Sequence, residues 1–411
     1  MDQNCGAAVA CVAGDADLVT AQASPAAVSR SPYLTLLFAV ACGLAVANVY
    51  YAQPLLDTVA DEFGIGRTTI GIVITATQIG YGVGLLLLVP LGDLLDRRRL
   101  IISQSLLSVL ALIMVAAAPT GAVLLVGMAI VGLLAVVTQV LVAYAATLAA
   151  PAERGRVVGT VTSGIVIGIL LARTVSGTLS DLFGWRSVYL ASAAAALVIA
   201  ALLAKHLPPS SKRPVGLSYA RLIGSVFALF VELPVLRVRA TLALLIFTAM
   251  TMLWTPMVLP LSAPPFGLSH TEVGLFGLAG AMGALGASSA GRLADRGHAQ
   301  RATAVALAIM LLSWLPIALL SHSLWFLILG VITMDFALQA VHVSNQSLIY
   351  RVRPEAQNRL TAGYMIFYSI GSAAGSGLST LVYEQAGWGG VCIMGATVSG
   401  VALVFWAVTR E

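Results

Sequence analysis

Charge is what this chain has least of. Only 9% of its 411 residues are Asp, Glu, Lys or Arg, while 59% are hydrophobic. Soluble domains carry about 25% charged residues, so a water-soluble globule of this length would lack its polar surface. The four cysteines, Cys5, Cys11, Cys42 and Cys392, show no metal-ligand or redox spacing, and no metal, cofactor or disulfide is expected. No phosphate-cradling G-x-x-x-x-G-K-[ST] loop occurs, which argues against direct use of ATP. Residues 1–31 lack a basic start followed by an apolar core. They are therefore read as a disordered cytoplasmic tail rather than a signal peptide.

What is abundant is long apolar runs. A span needs about 20 residues, and lipid leaves no partner for backbone groups other than those within a helix. Suitable runs fall at 34–56, 69–91, 99–118, 122–149, 156–180, 186–205, 237–260, 271–290, 302–320, 324–349, 359–383 and 388–408. The expected fold is an all-α membrane protein of twelve transmembrane helices in two pseudo-symmetric six-helix bundles. Its parts are an N-terminal bundle at 32–205, a cytoplasmic linker at 206–236 and a C-terminal bundle at 237–408. The linker holds Pro208, Pro209, Ser210, Ser211, Lys212, Arg213 and Pro214. Its stretch Tyr219–Glu232 suits a helix lying at the membrane surface.

With the N-terminus inside, all but Arg67, Arg186 and the intrahelical Arg173 of the 22 basic residues lie on the cytoplasmic side. The positive-inside rule thus places both termini in the cytoplasm, in a cell inner membrane. The net charge of +5 is dispersed over short loops, so no nucleic-acid partner is expected.

The two halves repeat. Phe63-Gly64-Ile65 and Phe266-Gly267-Leu268 lie 203 residues apart, as do Pro151 with Pro354, Arg156 with Arg359, and Gly184-Trp185 with Gly387-Trp388. Transporters are built from such repeats, with the substrate site between them.

Gly92-Asp93-Leu94-Leu95-Asp96-Arg97 and Gly291-Arg292-Leu293-Ala294-Asp295-Arg296 follow spans two and eight. They resemble the G-x-L-x-D-R signature of the major facilitator superfamily, and the resemblance covers about residues 32–410. It implies that Gly92, Asp96, Arg97, Gly291, Asp295 and Arg296 take part in gating. On physical grounds, Gly92 allows span two to approach a neighbour closely, and Asp96 is placed to meet the positive end of span eleven near Arg359. The chain is similar to the drug/metabolite efflux branch, whose relatives share Asn48-Val49-Tyr50-Tyr51-Ala52-Gln53-Pro54. It departs from proton-driven drug antiporters in span five, where Gly164 and Gly168 fit but Ala172-Arg173 stands for a glycine and proline. Span four also lacks their basic residue and reads Ala135-Val136-Val137-Thr138-Gln139.

Three ionisable residues fall inside spans: Arg173, Asp335 and His342. Such groups are usually functional. Asp335, Gln339, His342 and Gln346 share one face of span ten, flanked by Ser344 and Asn345. In the superfamily, spans one, four, seven and ten line the central cavity. That adds Asn48, Tyr51, Gln53, Gln139 and Trp254 as substrate-cavity residues, with Arg173 held either for an anionic substrate or for offsetting Asp335. Asp335 is the expected proton carrier, because a carboxyl in a poorly solvated cavity can exchange protons with each side in turn. His342 is a second proton-coupling candidate. Tyr50, Trp185 and Trp388 read as interfacial anchors.

The expected function is secondary active transport of a small molecule by alternating access, with proton-coupled efflux first and proton-linked uptake of a small, anionic metabolite as the alternative. The expected partners are substrate, protons and the lipid bilayer, and a monomer is expected. No nucleophile or paired carboxylate accompanies Asp335 and His342, so an enzyme is not expected.

Overall fold

The computed structural model describes residues 32–150, 153–208, 218–280, 282–353 and 357–410. The N-terminal tail, Pro209 to Pro214 of the linker, and Pro151 and Pro354 lie outside the described residues. Every regular element among those described is helical. The first half comprises α1 (Pro32–Tyr50), α2 (Leu56–Phe63), α3 (Ile72–Leu87), α4 (Leu91–Leu94), α5 (Arg97–Ala116), α6 (Gly121–Ala135), α7 (Val137–Leu148), α8 (Arg154–Phe183) and α9 (Trp185–His206). A short 3-10 turn, Gln53–Leu55, joins α1 to α2. The helix expected at Tyr219–Glu232 has those bounds and is α10. The second half comprises α11 (Pro234–Trp254), α12 (Val258–Ser262), α13 (His270–Ala279), α14 (Met282–Asp295), α15 (Ala299–Ala318), α16 (Leu324–Val352) and α17 (Gln357–Thr409).

Nine stretches among the described residues are long and apolar enough to cross a membrane. The longest, α17, reverses at Gly387, whose φ of 61° no residue with a Cβ adopts readily. The sequence repeat is therefore a backbone repeat. Gly64 and Gly267 both have positive φ, 61° and 56°, and so do Gly184 and Gly387. The members of each pair, 203 residues apart, share a positive φ at the same end of the molecule. Below, the end carrying α4, α10 and the final residue of α17 is the linker end, and the opposite end, with these glycines, is the far end.

Packing repeats as well. In the first half α1 lies on α8, α3 on α6 and α5 on α9; in the second α11 lies on the first limb of α17, α14 on α16 and α15 on its second limb. Small residues make these contacts close. A methyl group at Gly168 would collide with the carbonyl of Gly43, and one at Gly80 with that of Ala129. Such contacts replace the hydrophobic effect, which gives helices no reason to associate in lipid.

Gly92 corrects an expectation. A Cβ there would meet only side-chain atoms at ordinary distance, the nearest being Val140 Cγ1 at 3.6 Å. The close approach of this helix falls on Gly80 and Gly84 of α3, about two to three turns earlier, because α3 crosses α6 there.

The halves touch through α8 against α13 and α3 against α17, two contacts related by the repeat. Both lie toward the far end. Thr380 Oγ1 donates to Thr68 O at 3.0 Å, Ser376 Oγ to Gly71 O at 2.9 Å and Thr174 Oγ1 to Gly274 O at 3.0 Å. Along α8, Thr160, Thr162 and Ser163 are exposed while Ala172, Arg173, Ser176 and Gly177 are buried. The space between the halves therefore opens toward the linker end.

Replacing Gly168 by Ile is expected to destabilise the protein by about 1–3 kcal/mol through overpacking against Gly43. Gly159→Ile on the same helix, where nothing lies within 4 Å, is the control. Thermal unfolding in detergent distinguishes them. Equal melting temperatures for both variants would show that α1 and α8 are not held at the distance described.

Candidate functional site

Halfway along the interface, five elements converge. The 3-10 turn after α1 turns Gln53 inward; α8 supplies Arg173, α11 ends in Trp254, α16 carries Asp335 and α17 carries Tyr368. Arg173 is buried, and its Nε donates to Gln53 Oε1 at 2.6 Å. Its guanidinium carbon sits 3.8 Å from the Trp254 ring centroid and 5.1 Å from that of Tyr50. Arginine stacks well on aromatic faces because its charge is delocalised and weakly hydrated. At the edge of the indole, Trp254 Nε1 donates to Asp335 Oδ1 at 3.3 Å. The Tyr50 and Tyr368 hydroxyls meet at 2.9 Å.

Arg173 and Asp335 therefore share Trp254 as a partner, and among the described residues no ion pair joins them directly. Gln53, Arg173 and Tyr50 belong to the first half; Trp254, Asp335 and Tyr368 belong to the second. The cluster is a joint between halves.

Other expected cavity residues go elsewhere. Asn48 turns into its own half, where its Oδ1 accepts from Ser192 Oγ at 2.6 Å. Tyr51 is buried, and its neighbour Tyr50 is the one that reaches the other half. Tyr50 is thus no interfacial anchor, and neither is Trp185, which is 3% exposed and donates from Nε1 to Glu62. Trp388 Nε1 donates to Ile317 O at 2.9 Å within the second half. Gln139 Nε2 donates to Tyr81 OH at 3.4 Å, and the Tyr81 ring lies 6.1 Å from that of Tyr368. Gln339, His342 and Gln346 are half-buried along α16, and Asn345 is fully buried. His342 Nδ1 pairs with Tyr364 OH at 3.0 Å, and its ring meets the Phe247 ring edge-on at 5.3 Å.

Among the described residues, Asp96 and Arg97 make local contacts in this structure. Asp96 caps its own helix, α5, accepting from Arg99 N at 2.9 Å rather than meeting span eleven. With the halves apart at the linker end, the near partner wins. Arg97 Nε donates to Gly92 O at 2.9 Å. In the second half Gly291 has open space around it and Arg296 is exposed. The Asp295 side chain lies outside the described residues.

At the far end stands a cluster that the sequence reading missed. His270 lies just before the apolar run at 271–290. Its Nδ1 meets Asp181 Oδ1 at 2.8 Å and its Nε2 meets Asp57 Oδ1 at 3.1 Å. Asp181 Oδ2 also accepts from Thr271 N and Thr271 Oγ1, and Thr58 Oγ1 lies 3.0 Å from His270 Nε2. Both carboxylates belong to the first half and the imidazole to the second. The one signal for this clasp was polarity at span ends, which loops share. Hydrogen bonding to Asp57 raises the His270 pKa to about 9, against the opposing effect of burial, with Asp181 adding to the rise.

A family model described as Major Facilitator Superfamily matches residues 36–357. The chain is 48% identical over 376 residues to an uncharacterized transporter, YgaY, of Escherichia coli O157:H7, covering 92% of this chain and 95% of that one. It is 23% identical over 356 residues to a probable sugar efflux transporter of Helicobacter pylori, covering 86% and 88%. Its fold superposes on the crystal structure of a bacterial homologue of the human lysosomal transporter Spinster, in an inward-facing and unoccupied conformation. The TM-score is 0.69 at 15% identity, over 92% of this chain and 94% of that one.

The clasp holds its proton more tightly than free histidine, whose pKa is about 6.5. Its contribution to far-end closure is therefore complete below about pH 6.5 and is lost as the pH rises through about 9. Spin labels at the exposed Asp61 and His322, one on each half, are expected to separate over that range. His270→Asn should flatten the profile. An unchanged profile in that variant would remove the clasp as its cause.

Proposed function

The chain belongs to the major facilitator superfamily, and on that footing we propose that it exports a small molecule across the inner membrane in exchange for protons. It is a multi-pass membrane transporter and not an enzyme. In the proposed topology twelve spans form two bundles joined by the linker, with the linker end in the cytoplasm. Arg97, Arg98, Arg99, Arg154, Arg156, Arg237, Arg292 and Arg296 all lie at that end, which supports this orientation. The likeness to a relative named as a sugar efflux transporter supports export.

The observation that carries the reading is the joint of Arg173, Trp254 and Asp335 between the halves. In the linker-end-open state, an ionised Asp335 offsets Arg173, with Trp254 as their shared partner. A proton on Asp335 removes that offset, leaving a net positive charge in a poorly solvated space. The two protonation states thus favour different arrangements of the halves, as coupling requires. Alternating access follows when contacts of α8 with α13 and of α3 with α17 separate at the far end while the linker end closes. Asp96 would then exchange its local capping role for a contact across the halves, which fits a gating function for Asp96, Arg97 and their repeat partners.

Proton-linked uptake of an anionic metabolite is the second reading, favoured by the buried Arg173 in the joint.

The experiment is transport in vesicles containing the purified protein, under an imposed pH gradient, with a compound panel. Export against inward proton flow supports the first reading and co-directional movement the second. In Asp335→Asn, gradient-driven accumulation should fall to the background of empty vesicles, while exchange without a gradient persists and folding is unchanged. Undiminished uphill transport would exclude Asp335 as the proton carrier.

A further inference from the structure

Among the described residues, three side chains that carry charge at neutral pH are buried: Arg173, Arg239 and Asp335. Two are positive and one is negative. Asp335 offsets Arg173 in the joint, so one positive charge, Arg239, is left without a counterpart.

Arg239 lies in the second turn of α11, near the linker end. It is 4% exposed, and its Nε and Nη1 atoms have no hydrogen-bond partner. This is an expensive arrangement, because a guanidinium removed from water needs both an opposite charge and acceptors for its N–H groups. Among the described residues neither is supplied nearby. Helix α11 contains no acid, and the one acid of the adjoining α10, Glu232, pairs with Arg353 at 2.7 Å. Along α17 the one acid is Glu384, at the far end, and along α16 it is Asp335.

What surrounds Arg239 is polar and also unsatisfied. It faces Tyr364 of α17, which Asn345 of α16 faces too. The Asn345 amide is buried with the Tyr364 hydroxyl as its polar neighbour, and the hydroxyl of Ser344 is buried without a partner. Tyr364 OH meets His342, whose half-buried ring lies on the α16 stripe shared with Asp335, Gln339 and Gln346. The aromatic rings of Phe247 and Tyr368, with centroids 4.2 Å apart, close one side. Unpartnered donors of one charge, an amide beside them and an aromatic wall together describe a ligand: an oxyanion on an apolar body.

We propose that Arg239, with Asn345 and Tyr364, binds the carboxylate of a small monocarboxylate substrate whose apolar body lies against Phe247 and Tyr368. A single excess positive charge matches a single negative one. The guanidinium fork matches the two oxygens of a carboxylate. The proposal rests on the transport reading for its role as a substrate site, but the binding itself does not depend on direction or on proton coupling.

The test uses the full chain purified in detergent and thermal unfolding as readout, with acetate, lactate and benzoate as probes. Benzamide is the neutral counterpart of benzoate, and inorganic phosphate and chloride are ionic controls. At least one carboxylate is expected to raise the melting temperature in a saturable way where benzamide, phosphate and chloride do not. Arg239→Gln should weaken that binding about tenfold or more, and Arg239→Lys should retain part of it. A second arm needs no ligand. If Arg239 is an unsatisfied charge kept for binding, Arg239→Met should raise the melting temperature of the unliganded protein while abolishing the carboxylate response. The proposal is overturned if none of the three carboxylates binds, if benzamide or phosphate acts as they do, or if Arg239→Met lowers the unliganded melting temperature. Vesicles that move no compound while carboxylate binding persists would instead overturn the transport reading and leave the site in place.

Discussion

A guanidinium held between two rings fixes the geometry on which the rest of this protein depends. Arg173 cannot be left bare in a membrane interior, and here it is stacked on Trp254 and Tyr50 and bonded to Gln53. Because those partners come from α1, α8 and α11, the two halves must meet at this depth for the charge to be accommodated. Asp335 completes the arrangement from α16 without touching the arginine. Both charges meet Trp254, the arginine on its ring and the carboxylate at its Nε1, rather than forming a contact ion pair, which would be hard to separate in a medium of low dielectric constant. An opposite charge at one remove stabilises the arginine yet remains free to take up a proton.

That arrangement requires helices that come close, and the close approaches are made by glycine. Gly43, Gly164 and Gly168 bring α1 against α8, which sets Gln53 and Arg173 on facing surfaces. Gly274 and Gly277 bring α13 against the turn of α8 that carries Arg173. In the second half Gly371 and Gly375 do the same for α11 and α17, placing Trp254 and Tyr368. A methyl group at any of the tighter positions would push a helix outward and displace a member of the joint.

Much of this was legible in the sequence, for physical reasons that also mark where legibility ends. Apolar run length reports lipid thickness directly, and the glycine pairs 203 residues apart report backbone turns that no other residue makes cheaply. Charge inside a run is costly and demands partners, which is how Arg173 and Asp335 stood out in the sequence. Side-chain direction is different. Tyr50 and Tyr51 are adjacent, and which of them crosses to the other half depends on the turn that ends α1, not on residue type. Asn48 went to Ser192 of α9 because the nearest donor was in its own half. Asp96 took the cap of α5 because the alternative partner is distant when the linker end is open. Arg239 escaped notice because an arginine near the start of a span normally reaches water, and only the packing of α10, α16 and α17 around it shows that it does not.

The far-end clasp and the central joint place titratable groups at two depths on the same interface, and the difference in depth separates their roles. His270 is bonded to Asp57 and Asp181 where the halves are closed toward the far end, so breaking those contacts is part of opening, and its proton exchanges with that side alone. Asp335 lies where the space between the halves can be exposed to either end in turn. A group confined to one side can set how readily the gate opens as the pH of that side changes, but it cannot carry a proton across. In the proposed mechanism the deeper group is the one placed to couple proton movement to transport. The clasp then holds the linker-end-open state until the far side becomes alkaline, its contribution being lost as the pH rises through about 9.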